Sequence, residues 1–481
     1  MSERILFLTG KLAERPLHRV LESMQPAGFE YEIRDIGLTV AALMTSQMIV
    51  RRVEPPAGTT RVIVPGLCRG DLGEAEKALG IEVSRGPNDL KDLPVYFGRE
   101  GTKPELDRYD VRIFAEIVEA PSLSVEQILD RARYYAADGA DVIDIGCLPD
   151  TAFPHLEDAI RALHEAGFRV SVDSVTPDEL LCAGRAGADY LLSLSEETLW
   201  VAEEVESVPV LIPRAHGDME SLHRAVERLL AAGRPFIADS VLDPIHFGFT
   251  ESLGRYAALR RRYPDIDIMM GIGNLTELTE ADTTGIQAVL FGMISELRIT
   301  SVLTTQVSPH ARSVVREADL ARRIMFAART EDRLPKGLDG GLLAIHERKP
   351  FPYSQAEVAE LAAQIRDPSY RVQVTEEGIS VFSRDGLITG LDPFELFPRL
   401  EALQADAPHA FYIGVELAKA RIAWQLGKRY VQDEELQWGV AATPVPEGGT
   451  SSGTDAHGYK PAGSTLQASR DSKKRKTSRK K

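Results

Sequence analysis

Short apolar runs closed by Gly, Pro or Asp alternate with stretches of helical spacing through the first 330 positions of this chain. Ile5-Leu6-Phe7-Leu8, ending at Thr9-Gly10-Lys11, predicts a buried strand. Leu17–Met24 has helical spacing, Tyr31–Asp35 predicts a second strand, and Val62-Ile63-Val64 a third before the Pro65-Gly66 turn. Strands alternating with helices predict a small, open, Rossmann-like parallel sheet over residues 1–105. A ligand of such a sheet is expected at the carboxyl ends of its strands, near Gly10-Lys11, Arg69-Gly70-Asp71 and Gly86-Pro87-Asn88-Asp89. The same residues serve equally well as plain turns. Gly10-Lys11 lacks the glycine spacing and the Ser/Thr of a Walker loop.

From 110 to 330 the alternation becomes regular. Strand-like runs stand at Ile113–Val118, Val142–Ile145, Val170–Val172, Tyr190–Leu194, Val208–Ile212, Phe236–Leu242, Ile266–Met270 and Leu297–Leu303. Amphipathic stretches such as Val125–Tyr135, His155–His164, Pro177–Ala186, Leu222–Ala232 and Leu253–Arg262 separate them. Eight strand–helix units in roughly 220 residues have the length and count of a (β/α)₈ TIM barrel. A doubly wound open sheet uses the same alternation, and periodicity alone does not separate the two. Residues 331–442 leave this pattern: a Pro/Gly-rich link, two strands at Tyr370–Val374 and Gly378–Phe382, and a long helix over Ala410–Tyr430 predict an α+β module. Residues 443–481 are rich in Gly, Ser and Thr and predict a disordered basic tail.

Composition narrows the class. Hydrophobic residues are 43% and charged residues 27%, as in ordinary globular proteins. A net charge of −16 argues against a general nucleic-acid binder, although residues 470–481 hold eight Lys/Arg against one Asp. That basic end reads as a solvated tail before it reads as a contact for RNA or an acidic partner. Three scattered cysteines, Cys68, Cys147 and Cys182, match no metal spacing and suit a reducing compartment. No apolar stretch approaches the ~20 residues needed to cross a bilayer, and the first apolar run is too short for a signal peptide. A cytoplasmic protein without membrane contact is expected.

In a barrel of this kind the active site forms at the carboxyl ends of the strands. Asp144 lies within the second strand, before Gly146; Asp173 closes the third; Asp243 follows the sixth in Leu242-Asp243-Pro244; Asn274 follows the seventh in Gly271-Ile272-Gly273-Asn274. Carboxylates converging on one mouth suit a ligand with paired N–H donors, because an ionised carboxylate accepts two charge-assisted bonds at once. Asparagine adds a donor and an acceptor, and the glycines leave room for a flat bicycle. For Asp144 the competing reading is a buried structural acid. Arg214, His216, His246 and Arg298 are candidate phosphate or co-substrate contacts, though a lone loop histidine is as often inert. Glu116 and Glu119, at the end of the first strand, are candidates for metal or substrate or else simply face solvent; Glu119 is the metal candidate, and Mg²⁺ is the ion considered for the protein. Cys147 lacks a paired base and is not expected to act as a nucleophile.

Gly139-Ala140-Asp141-Val142-Ile143-Asp144-Ile145-Gly146 resembles the second-strand motif of dihydropteroate synthases. Val170-Ser171-Val172-Asp173-Ser174, continuing to Ala186-Gly187-Ala188-Asp189-Tyr190, resembles their third strand, helix and fourth strand, and Leu242-Asp243-Pro244 their sixth. The resemblance covers most of 110–310, in the family's order, and implies that Asp173 and Asp243 hold the aminopyrimidine ring of a pterin. Other family elements are missing. Cys147-Leu148-Pro149-Asp150 stands where the Ser-Thr-Arg loop would be, and Leu191-Leu192-Ser193-Leu194 lacks the fourth-strand asparagine. Gly273-Asn274-Leu275 replaces Ser-Arg-Lys, and Arg298-Ile299-Thr300 does not match the diphosphate-binding Arg-x-His.

Gly271-Ile272-Gly273-Asn274 instead resembles the seventh strand of pterin-dependent methyltransferases. The whole arrangement is similar to the dihydropteroate-synthase-related proteins of methanogens and of bacteria using tetrahydromethanopterin. That likeness implies a transferase of folate-like one-carbon metabolism, joining a dihydropterin methyl diphosphate to an arylamine other than p-aminobenzoate in tetrahydromethanopterin biosynthesis. A methyl-pterin-dependent methyltransferase and a non-catalytic pterin-binding or assembly protein are the alternatives. A homodimer is expected from the superfamily.

Overall fold

The computed structural model describes residues 3–88, 90–99, 105–403 and 406–443. The expected tail beyond residue 443 and Asp89 lie outside the described residues. Three sheets follow one another along the chain. The first is parallel, in the order β2-β1-β3-β4, with β1 Arg4–Thr9, β2 Glu30–Asp35, β3 Arg61–Val64 and β4 Glu82–Arg85. At its carboxyl edge the loops come close to one another at two points. A Cβ on Gly10 would meet Leu38 O at 2.7 Å, and one on Gly66 would meet Pro87 C at 2.6 Å.

Eight parallel strands close the second sheet into a barrel. They are β5 Arg112–Ile117, β6 Val142–Gly146, β7 Arg169–Asp173, β8 Tyr190–Leu194, β9 Val208–Leu211, β10 Ile237–Ala238, β11 Asp267–Gly271 and β12 Ser301–Thr305. The sequence explains the closure by strict alternation. Phe114, Val142, Tyr190, Leu192, Val210, Ile237 and Met269 point inward and form one packed plug. Their neighbours Ile113, Ala115, Ile143, Ile145, Val170, Val172, Ala238 and Met270 face the helices in a second, larger core. The final seam is β12 against β5, with Leu303 opposite Phe114 and Thr305 opposite Glu116. At the amino end, the buried Arg322 of the helix Val314–Thr330 bonds to Val111 O, Gly139 O, Asp141 and Asp319, and so locks the last helix to the first two strands.

Two strands differ from their expected extents. The sixth, expected over Phe236–Leu242, keeps only Ile237–Ala238, because the chain turns at Asp239 and Val241 adopts φ 64°. The eighth, expected from Leu297, starts at Ser301, since a helix runs through Thr283–Glu296 and Leu297 caps it.

The third sheet is antiparallel: β13 Arg371–Thr375, β14 Gly378–Ser383 and β15 Gly386–Gly390. Its central strand is buried along its whole length, and the helix Ala407–Leu426, ended by Gly427 at φ 60°, covers one face. No helix among the described residues is long and apolar enough to cross a membrane.

Candidate functional site

Period-two alternation carries acids to the barrel mouth. Glu116 follows Phe114 on the inward face of β5, Asp144 follows Val142 on β6, and Asp173 follows Ser171 on β7. Register places Glu116 opposite Asp144, and Gly146 opposite Asp173. One carboxylate oxygen from each of Glu116, Asp144 and Asp173 lies within 4.8 Å of the others. Gly146 makes room for this, because a Cβ there would come 2.5 Å from Glu116 Oε1.

Crowding and burial set the protonation of these groups. Burial, then the Asp173 charge, pushes Glu116 up to about 7. Burial raises Asp173 to about 6. Asp144 is wholly buried and raised well above the usual carboxylate range by burial and then by Asp173 and Glu116, against one opposing hydrogen bond from Ser171. Ser171 Oγ donates to Asp144 Oδ1 at 2.5 Å, while Asp144 Oδ2 is buried without a partner. Cys147, next to this cluster, has its thiol pushed up to about 12 by burial and then by Glu179, Asp144 and Asp173. It stays protonated at neutral pH and is no nucleophile.

The other expected residues are placed differently. Asp243 is not part of the cluster. Its carboxylate accepts Arg255 Nη2 at 2.7 Å and His216 Nε2 at 3.0 Å. Burial works to raise it, but these two partners outweigh burial and hold it below the usual range. Asn274 Nδ2 donates to Leu242 O at 2.6 Å, which ties the loop after β11 to the loop after β10. Arg214 pairs with Asp218 at 3.1 Å and lies 3.7 Å from both Glu196 and Glu197, so its charge is already met by carboxylates. His246 is exposed beside the mouth, at φ 69°.

Two expectations are corrected. Arg298 does not reach the mouth: it precedes β12, at the amino end of the barrel, where its carbonyl accepts Arg260 Nη2 at 2.8 Å. The shift follows from the later start of that strand. Glu119 is exposed, in a left-handed turn past the end of β5, and the acid that joins the cluster is Glu116. The signal that separates them was in the sequence. Glu116 keeps the parity of Phe114 within the strand, whereas Glu119 lies beyond it.

One buried acid near the mouth escaped the sequence reading. Asp239, just past β10, accepts Tyr256 Oη at 2.5 Å and Val241 N at 2.7 Å. Burial holds it at about 6 against these donors. A cleft of about 640 Å³ lies elsewhere, between the helix Lys11–Ser23 and Phe326–Lys336. It is lined by Arg19, Arg108 and Lys336 beside Asp107 and Glu331 and gathers no one sign of charge.

A profile described as "Family of unknown function (DUF6513)" matches residues 3–88. An uncharacterized protein, MJ0107 of Methanocaldococcus jannaschii, is 26% identical over 526 residues, covering 90% of this chain and 99% of that protein. Among solved structures, a Yersinia pestis dihydropteroate synthase with a pterine–sulfa conjugate is 16% identical with a TM-score of 0.37, covering 47% of this chain and 95% of its own. A Coxiella burnetii dihydropteroate synthase in complex with pteroic acid is 16% identical with a TM-score of 0.38, covering 46% and 94%. That from Xanthomonas albilineans with 7,8-dihydropteroate is 21% identical with a TM-score of 0.35, covering 47% and 94%. The barrel assignment itself stands on the closed ring of eight strands.

Proposed function

We propose that the barrel mouth binds a pterin-type heterocycle and that the chain is a transferase acting at the carbon attached to that ring. The observation that carries this reading is the convergence of the half-buried Glu116 and Asp173 and the buried Asp144 from three adjacent strands at the barrel mouth. Carboxylates of this kind match the amino and ring N–H donors of an aminopyrimidine, and a bond to an ionised acceptor is the stronger one. In this reading Asp144 and Asp173 accept the donor edge. Asp243, kept charged by Arg255, offers its second contact when the exposed His216 side chain moves aside. Asn274 lies at the ring's far edge, on the glycine-lined side formed by Gly271 and Gly273. The reaction is then displacement at the pterin methylene: the arylamine nitrogen forms the new C–N bond, diphosphate departs with the C–O electron pair, and the nitrogen loses a proton. The mouth contributes orientation and a negative floor for positive charge on the ring.

One observation favours the second reading, a methyl-pterin methyltransferase. No lysine lies between Lys103 and Lys336, and Arg214 and Arg255 are both engaged by carboxylates, so these residues leave no free cation for a diphosphate. Such an enzyme needs a cobalamin-carrying partner.

Fluorescence titration of the full chain with a reduced hydroxymethylpterin tests the shared part of both readings. Micromolar binding, weakened tenfold or more in Asp173→Asn, is the expected result, and absence of binding overturns both. Diphosphate release from the pterin methyl diphosphate with a panel of arylamines then separates them.

A further inference from the structure

Two observations set the Glu116–Asp144–Asp173 cluster apart from an ordinary acidic patch. Asp144 is wholly buried, yet only one of its oxygens has a donor, and Oδ2 is left without a partner. A buried charged oxygen without a donor is costly unless a proton or a cation meets it. Among the described residues the cluster also lacks a protein counter-charge. The groups that shift Glu116, Asp144 and Asp173 are burial, each other and the Ser171 hydroxyl, with no arginine, lysine or histidine among them.

We propose that Glu116, Asp144 and Asp173 hold one divalent cation, Mg²⁺ or Mn²⁺, through protein carboxylates alone. All three donors are oxygens, the set that hard divalent ions prefer over softer metals. Three protein oxygens on one side of an octahedral ion leave the remaining positions for water or for oxygens of a ligand entering the mouth. Asp173 has two carboxylate oxygens, so it can meet the ion with one and a ring N–H with the other. The absence of a side chain at Gly146 is what lets Glu116 reach across to its neighbours. The ion also gives an anionic substrate group an anchor that no lysine of the barrel supplies. The cation site shares its mouth with the proposed pterin site but does not depend on the identity of the ring.

The test is titration of the full-length chain with Mn²⁺ at pH 8, followed by electron paramagnetic resonance, with no other ligand present. One Mn²⁺ per chain is expected, weakened at least tenfold in Glu116→Gln and in Asp144→Asn and unchanged in Glu119→Gln. Failure of the wild-type chain to bind Mn²⁺, or wild-type affinity in Glu116→Gln, overturns the site. Glu116 is only half-buried, so this variant carries the test if Asp144→Asn does not fold. Pterin binding measured in EDTA keeps the two proposals apart. Pterin retained with Mn²⁺ binding absent overturns the cation site alone, and Mn²⁺ retained with pterin binding absent supports the cation site while overturning the pterin reading.

Discussion

Glu116 shows how a single side chain couples the mouth to pH. Its carboxyl is raised from 4.5 to about 7 by burial and the nearby Asp173 charge. A carboxyl raised on folding binds more protons in the folded chain than in the unfolded one between those values. Its stabilising effect is therefore full below about 4.5 and is lost as pH rises through about 7. The chain should melt at a higher temperature at pH 5.5 than at pH 8, and Glu116→Gln should reduce that difference by raising the pH 8 value. Strain at the mouth of order 1–3 kcal/mol is at stake. Differential scanning calorimetry across this range checks it, and an unchanged pH dependence in the variant would refute the account. Gly146→Ala is expected to disturb the same cluster, because its Cβ would come 2.5 Å from Glu116 Oε1, the far end of a flexible side chain, and 3.2 Å from the Ile117 backbone oxygen. Stability should fall by about 1–2 kcal/mol, while ligand and Mn²⁺ binding fall at least tenfold. At this scale the sequence identified Asp144 and Asp173 as candidates through their position in apolar runs. It did not show that Asp243 is engaged by Arg255, since that contact joins a loop to a helix twelve residues on.

The strands and helices of the barrel were legible where a period of two or 3.6 ran undisturbed, as in β5 through β9. Legibility failed where tertiary bonds override local pattern. Phe236–Leu242 has the composition of a strand, yet the chain leaves the sheet after Ala238 and winds under the helix Phe249–Arg262. Arg255 on that helix explains why the turn holds: it donates to Ser240 O, Val241 O and Asp243 Oδ2 at 3.2, 2.8 and 2.7 Å. Its side chain is 13% exposed, so its removal leaves buried acceptors without a donor. Arg255→Ala should cost about 2–4 kcal/mol, read from urea denaturation. It should also return the Asp243 carboxyl towards the value burial favours. A loss below about 0.5 kcal/mol would mean that the loop is held by something other than this arginine. The third strand of the antiparallel sheet, Gly386–Gly390, was missed for a different reason. Five residues bounded by two glycines, with one polar and two apolar side chains between them and none fully buried, carry little alternation to read.

Across the whole molecule, one helix joins the three sheets. Val314–Thr330 is the last helix of the barrel, and the segment that follows it bonds to the first unit through Arg19 Nη2 and Asp332 O at 2.9 Å. Its own first turn meets the C-terminal module, where Arg316 Nη1 donates to Ala442 O at 2.8 Å and Arg316 Nε lies 3.0 Å from the buried Asp138 carboxylate. Val440 N donates to Gly341 O at 2.9 Å beside it, which ties the end of the described chain to the link that follows this helix. None of this return was visible from local pattern, because each contact joins residues far apart in sequence. The Arg15 and Arg19 contacts with Asp332 are exposed and belong to the class of ion pairs that contribute little. Arg316 is different, since its side chain is 15% exposed and Asp138 beside it 9%. Removing the arginine leaves a carboxylate in a poorly hydrated site and takes away the bond from this helix to Ala442 O, at a cost of about 3 kcal/mol. The intact chain should therefore unfold in a single calorimetric transition for the barrel and C-terminal module. Arg316→Ala should split it, with the module melting first, and a single unshifted transition in that variant would show that the two units are not coupled through this helix.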